Sequence, residues 1–80
     1  MTKSVDTNMT KKRVKLKVKR YYASYYFWFD SVQEAARGGI AQLESGDSFP
    51  ESIHLDGNEI WHQNSPSSPE MDRLYELANA

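Results

Sequence analysis

From Arg13 to Lys19 the chain alternates strictly, with Val14, Leu16 and Val18 set between Arg13, Lys15, Lys17 and Lys19. A period of two with β-branched and aliphatic residues predicts a half-buried strand, apolar on one face and basic on the other. Residues 25–29, YYFWF, have the highest β propensity in the chain and predict a second strand. The connection through Tyr22, Ala23 and Ser24 contains no Gly or Asn to supply the positive φ of a tight primed turn. A short even-length loop therefore competes with one long, bulged strand.

At DSVQEAARGGIAQLESG the period changes. Ser31 followed by Glu34 is a capping box, and Val32, Ala35, Ala36, Ile40 and Leu43 recur at helical spacing, with Gly46 placed to end the helix. The Gly38–Gly39 pair should cost about 1 kcal/mol per glycine against alanine. It marks either a close approach of another element or a weak, kinked helix. The stretch FPESIHLDGNEIWHQN holds Ile53 and Leu55, a turn around Asp56–Gly57–Asn58, and Ile60–Trp61, the strongest hairpin signal in the chain. After the linker residues 64–68, Pro69 sits where a helix tolerates it, and Met71, Leu74, Tyr75 and Ala78 form one apolar stripe. The order is β-β-α-β-β-α. It predicts an α+β fold: a small antiparallel sheet from two hairpins, one packed helix and a short C-terminal helix. Residues 1–10 lack pattern and bulk and predict a disordered tail, leaving 11–80 as a single domain.

Residues directly opposite in a hairpin share a face. An even first loop pairing Tyr22 with Tyr25, Arg20 with Phe27 and Val18 with Phe29 sends Val14, Leu16, Val18, Phe27 and Phe29 inward. Lys15, Lys17, Lys19, Tyr21, Tyr26 and Trp28 then share the outer face. An even second loop puts Ile53, Leu55 and Ile60 inside, and His54, Glu59 and Trp61 outside. The expected partner-binding set is therefore Lys15, Lys17, Lys19, Tyr21, Tyr26, Trp28 and Trp61. A loop of odd length would reverse either partition.

Charge sharpens this picture. The net charge of −1 conceals a balance of +7 over residues 1–29 and −8 over residues 30–80. Such halves attract each other within one fold or present two faces to different partners. Cysteine is absent, which excludes disulfides, thiolate catalysis and cysteine-based zinc sites. The start, MTKSVDTNMT, has no apolar signal region, and no apolar run approaches the roughly 20 residues that span a bilayer. A cytoplasmic protein without membrane partners is expected. Size, composition and dense aromatics are compatible with the small accessory proteins of phages and mobile elements.

Neither a glycine-rich phosphate loop nor a nucleophile elbow is present. His54, Asp56, Glu59 and His62 lie close in sequence, but in an unbulged hairpin the two histidines point to opposite faces and cannot share an ion. No metal, cofactor or enzymatic activity is expected. Three readings compete for the outer face. The C-terminal helix could lie across it, setting Glu70, Asp72 and Glu76 near the lysines. A protein partner, or a second copy in a homodimer, could dock there, since Tyr, Trp, Phe and Met dominate buried contacts; an inhibitor or adaptor is the favoured type. Single-stranded nucleic acid could stack on the rings with its phosphates on the lysines, although the pI near 6.1 argues for a less dedicated binder. A further alternative uses the scattered acids of residues 30–80 as a nucleic-acid mimic against a partner protein.

Overall fold

In a computed structural model the structure describes residues 13–63 and 69–80. The tail expected over 1–10 and the linker expected over 64–68 lie outside the described residues. The elements are β1 (Val14–Arg20), β2 (Ala23–Phe29), α1 (Val32–Glu44), β3 (Phe49–Leu55), β4 (Asn58–His62) and α2 (Glu70–Ala78), in the order expected. The strands form one antiparallel four-stranded sheet in the order β2-β1-β3-β4.

The alternation in β1 fixes the layers. Val14, Leu16 and Val18 are buried with Ile53 beneath Ala35 and Ala36 of α1 and Met71, Leu74 and Ala78 of α2. Ser31 caps α1, its hydroxyl accepting from the Glu34 N–H at 3.1 Å. Gly46, at φ +88, takes the left-handed conformation just beyond the helix end. The glycine pair serves close approach. A Cβ on Gly38 would lie 2.6 Å from Phe29 Cζ, and one on Gly39 would lie 2.9 Å from Pro50 Cβ.

The first hairpin turns two residues earlier than expected. Arg20 pairs with Ala23 across a two-residue turn, Tyr21–Tyr22, in which Tyr21 adopts φ 55. Val14 therefore pairs with Phe29, where Val18 was expected, and Leu16 pairs with Phe27. The left-handed conformation costs a tyrosine about 1–2 kcal/mol. The expected register would have left Val14 and Leu16 without partners on β2, and their pairing outweighs that cost. The slip is an even number of residues, so every side chain that remains in the strands keeps its expected face, while Tyr21 and Tyr22 pass into the turn.

The second hairpin turns through Asp56–Gly57, both at positive φ, with Asn58 already in β4. It then departs from expectation. His54 pairs with Glu59, but Ile53 pairs with Trp61, so Ile60 is the extra residue of a β-bulge. The bulge reverses the parity beyond it. Trp61 turns into the core at 4% exposure, and Ile60, expected inside, is 42% exposed.

The C-terminal helix does not cross the outer face. α2 lies beside α1 in the same layer, where the Arg37 Nε–H donates to Ala78 O at 3.0 Å and the Gln33 amide donates to Ala80 O at 2.6 Å. Tyr75, expected in its apolar stripe, is exposed.

Candidate binding face of the sheet

With both helices on one side, the other side of the sheet is uncovered by any described element. The strand registers set its side chains in three ranks: Trp28, Lys15, His54 and Glu59; then Tyr26, Lys17, Ser52 and His62; then Ser24, Lys19 and Phe49. Five of the seven expected site residues, Lys15, Lys17, Lys19, Tyr26 and Trp28, are therefore brought together. Tyr21 stands at the hairpin tip and is largely exposed. Trp61 is not part of the face. Its indole N–H donates to Glu70 O at 2.8 Å, which ties β4 to the first turn of α2.

Tyr26 and Trp28 are 52% and 53% exposed. Lys15 Nζ lies 5.1 Å from the Tyr26 ring centroid and 5.8 Å from that of Trp28, within cation–π range of both. The neighbouring cations are engaged with acids. Lys17 lies 3.9 Å from Glu51, and Arg20 lies 3.7 Å from Asp47. Arg13 forms a two-pronged pair with Asp56 at 2.6–3.2 Å. This pairing holds the Asp56 carboxyl below its ordinary range and raises Arg13, in both cases chiefly through the hydrogen bonds between them. The charge asymmetry of the chain is thus partly neutralised between the β1 and β3 regions, where one of the three readings of the sequence had placed the acids of α2.

The Ile60 bulge also overturns the expectation that His54 and His62 face apart. His54 Nε2 and His62 Nδ1 each lie 3.7 Å from the same oxygen, Glu59 Oε1. Among the described residues, no group of three or more His, Asp or Glu side chains is arranged to hold a metal ion. Two buried polar atoms on this face, Glu51 Oε1 and His54 Nδ1, have no hydrogen-bond partner. Such orphans are rare in folded proteins and call for an explanation.

Residue patterning missed part of the exposed aromatic surface. Phe27 was expected in the core, yet Tyr25 and Phe27 remain 48% and 39% exposed on the helix side of β2. α1 meets β2 at Phe29, against Gly38, and leaves the rest of the strand uncovered. The cue was the crowding of small residues in α1, Ala35, Ala36, Gly38 and Gly39, which seats the helix low against its neighbours.

Four of the acids in residues 30–80, Asp47, Glu51, Asp56 and Glu76, lie within 4 Å of an arginine or lysine. The acidic surface therefore gains no observation in favour of mimicry. No helix among the described residues is long and apolar enough to cross a membrane. No family model, curated protein or solved structure matches the chain.

Proposed function

We infer that this protein is a non-enzymatic binding module that takes another protein on its open sheet face, as an inhibitor or adaptor does. The observation that carries this reading is the pair of half-exposed rings, Tyr26 and Trp28, on a face that neither helix covers. Large rings held on a rigid strand lose little conformational freedom on contact, and Tyr and Trp dominate interface hot spots. Lys15, held against both rings, guides orientation and encounter. A cytoplasmic setting fits this role.

One observation favours a second reading. A lysine between two rings on an open four-stranded antiparallel sheet is also what single-stranded nucleic acid requires. It ranks second because Arg13, Lys17 and Arg20 already face carboxylates, which among the described residues of the face leaves Lys15 and Lys19 to neutralise phosphates.

The test is affinity capture from an extract of the cells that make the protein, using wild-type and Trp28→Ala protein, followed by titration with the purified partner. Loss of the Trp28 anchor should weaken binding by about 2 kcal/mol or more, roughly 30-fold. A partner that binds both proteins equally refutes the assigned face. Titration with single-stranded DNA and RNA, read by fluorescence, separates the second reading. Saturable quenching that fades steeply with salt and disappears in Trp28→Phe would assign the face to nucleic acid.

A further inference from the structure

The two edges of the sheet are built differently. β4 has five residues, carries Glu59 and is interrupted by the bulge at Ile60. Short length, charge and a bulge each discourage pairing with another chain. β2 has none of these. Its seven residues, ASYYFWF, contain no charge and no proline, and its pairing with β1 runs without a break. Among the described residues, only β1 and α1 lie against it.

The free edge can be read from the hairpin. The pair that closes a two-residue turn is hydrogen-bonded, and bonded and non-bonded pairs then alternate. Arg20 closes the turn with Ala23, so Val18–Tyr25 and Leu16–Phe27 are bonded pairs, while Lys19–Ser24, Lys17–Tyr26 and Lys15–Trp28 are not. The direction of Arg13 O, which accepts from Asp56 N at 3.0 Å on the β3 side, agrees with this parity. Ser24, Tyr26 and Trp28 therefore aim their N–H and C=O groups out of the sheet.

These groups are complementary to themselves. Placed antiparallel about a two-fold axis at Tyr26, they bond Tyr26 to Tyr26 of the second copy and Ser24 to Trp28 of the second copy, with no donor left facing a donor. We propose that two copies of this chain pair through the free edges of β2, centred on Tyr26, and join their sheets into one.

Charge and apolar surface both select a second copy. No charge of β2 meets its own image. The backbones of the two β1 strands lie three strand spacings apart, about 14 Å, and Lys15, whose ammonium leans over Tyr26 and Trp28, is the charge that comes nearest its own image, so pairing should strengthen with salt. On the helix side, Tyr25 faces Phe27 of the second copy and Phe27 faces its Tyr25, which covers the two rings that α1 leaves exposed. Half of the 150–250 Å² that an aromatic ring can bury is about 100 Å². Four half-exposed rings per copy, Tyr25, Tyr26, Phe27 and Trp28, then supply at most about 800 Å² for the pair. This is below a standard interface of about 1,600 Å², so the dimer is weak and depends on concentration. Because among the described residues only one edge of each sheet is unprotected, the assembly closes at two copies.

Sedimentation over a wide concentration range tests the proposal. The mass should rise from the 9.2 kDa of one chain towards twice that value. Ser24→Pro removes an outward N–H that bonds nothing among the described residues and leaves Tyr26, Trp28 and Lys15 in place. It should retain the wild-type circular dichroism spectrum and stay at the mass of one chain, so loss of the dimer is distinguishable from loss of partner binding on the face. Amide exchange followed by NMR gives a second reading that needs no variant. Protection of Ser24, Tyr26 and Trp28 should grow with concentration, whereas that of Tyr25 and Phe27 should not change. A single-chain mass at every concentration, an assembly larger than two, or undiminished dimerisation of folded Ser24→Pro each overturns the proposal. Protection of Ser24, Tyr26 and Trp28 in the single-chain species also overturns it, by assigning the edge to a segment of the same chain.

Discussion

The two tryptophans should respond oppositely to truncation, because the bulge at Ile60 places one in the core and leaves the other on the face. Trp61 is almost fully buried, contacts the cluster that joins both helices to the sheet, and donates its indole N–H to Glu70 O. Trp61→Ala removes a large buried ring and that hydrogen bond, for a loss of about 3–5 kcal/mol. A chain of this length has a total stability of roughly 4–12 kcal/mol, so the variant lies near or beyond the folding threshold. Trp28 is half exposed, and its intramolecular contacts amount to partial burial on β2 and the cation–π contact with Lys15. Trp28→Ala should cost only about 1 kcal/mol. Urea unfolding followed by far-UV circular dichroism measures the difference. At a slope of about 1 kcal/mol per molar urea, the two midpoints should differ by roughly 2–4 M. Equal losses for the two variants, or a larger loss for Trp28→Ala, would refute the placement of Trp61 in the core and Trp28 on the free face.

Gly39→Ala brings a Cβ to 2.9 Å from Pro50, whose ring is fixed to the β3 backbone. Overpacking of about 1–3 kcal/mol should exceed the helix gain of about 1 kcal/mol and lower Tm. Gly38→Ala meets only the tip of the Phe29 ring, which can swing aside, so its Tm should stay near wild type; a Gly39→Ala protein as stable as Gly38→Ala would contradict the close seating of α1. Deleting Ile60 removes the extra residue of the bulge and lets Trp61 follow Glu59 directly into its pairing with Ile53. The deletion should fold, with Trp61 emission still that of a buried ring, whereas a shift to solvent-exposed emission would show that the bulge itself holds Trp61 inside. Asp56→Asn keeps a turn-forming residue and removes the charge facing Arg13. Because Asp56 titrates below its unfolded value, its contribution is fully present above the ordinary aspartate range and is lost as pH falls through the lowered folded value. The stability gap between wild type and Asp56→Asn should therefore close on acidification; a gap independent of pH would exclude the ion pair as its cause.

What could be read from the sequence depended on how local the deciding interaction is. Ser31 and Glu34 cap α1 through one hydrogen bond three residues apart, and such a signal survives any tertiary context. The facing of Lys15, Lys17, Tyr26 and Trp28 was legible although the register was not, because a slip of an even number of residues preserves parity. Trp61 was not legible. Ile60 and Trp61 are adjacent apolar residues in a short strand, so either can face inward, and the choice rests on a partner in another element, Glu70 of α2. The stripe of Met71, Leu74 and Ala78 shows that α2 must dock, but not on which side of the sheet. The open question of where α2 docks and the misplacement of Trp61 thus have one origin.

That origin also accounts for the free surfaces. Trp61 turned inward offers both apolar area and an N–H to the start of α2, so the helix is drawn to the β4 side of the sheet. Among the strands, α2 approaches only β4, and α1 lies chiefly over β1 and β3. Helices pack about 8–10 Å apart, while the outermost of four strands lie about 14 Å apart. Two helices could cover that width only if centred on it. Displaced towards β4, they leave Tyr25 and Phe27 of β2 open on the helix face, while Tyr26 and Trp28 stay open on the opposite face because α2 is held in the layer of α1. Removing the bulge without keeping Trp61 inside would free α2 to cover the lysines. Keeping Trp61 inside commits the helix elsewhere, so a single buried indole at one edge of the sheet leaves the aromatic strand at the opposite edge available for binding.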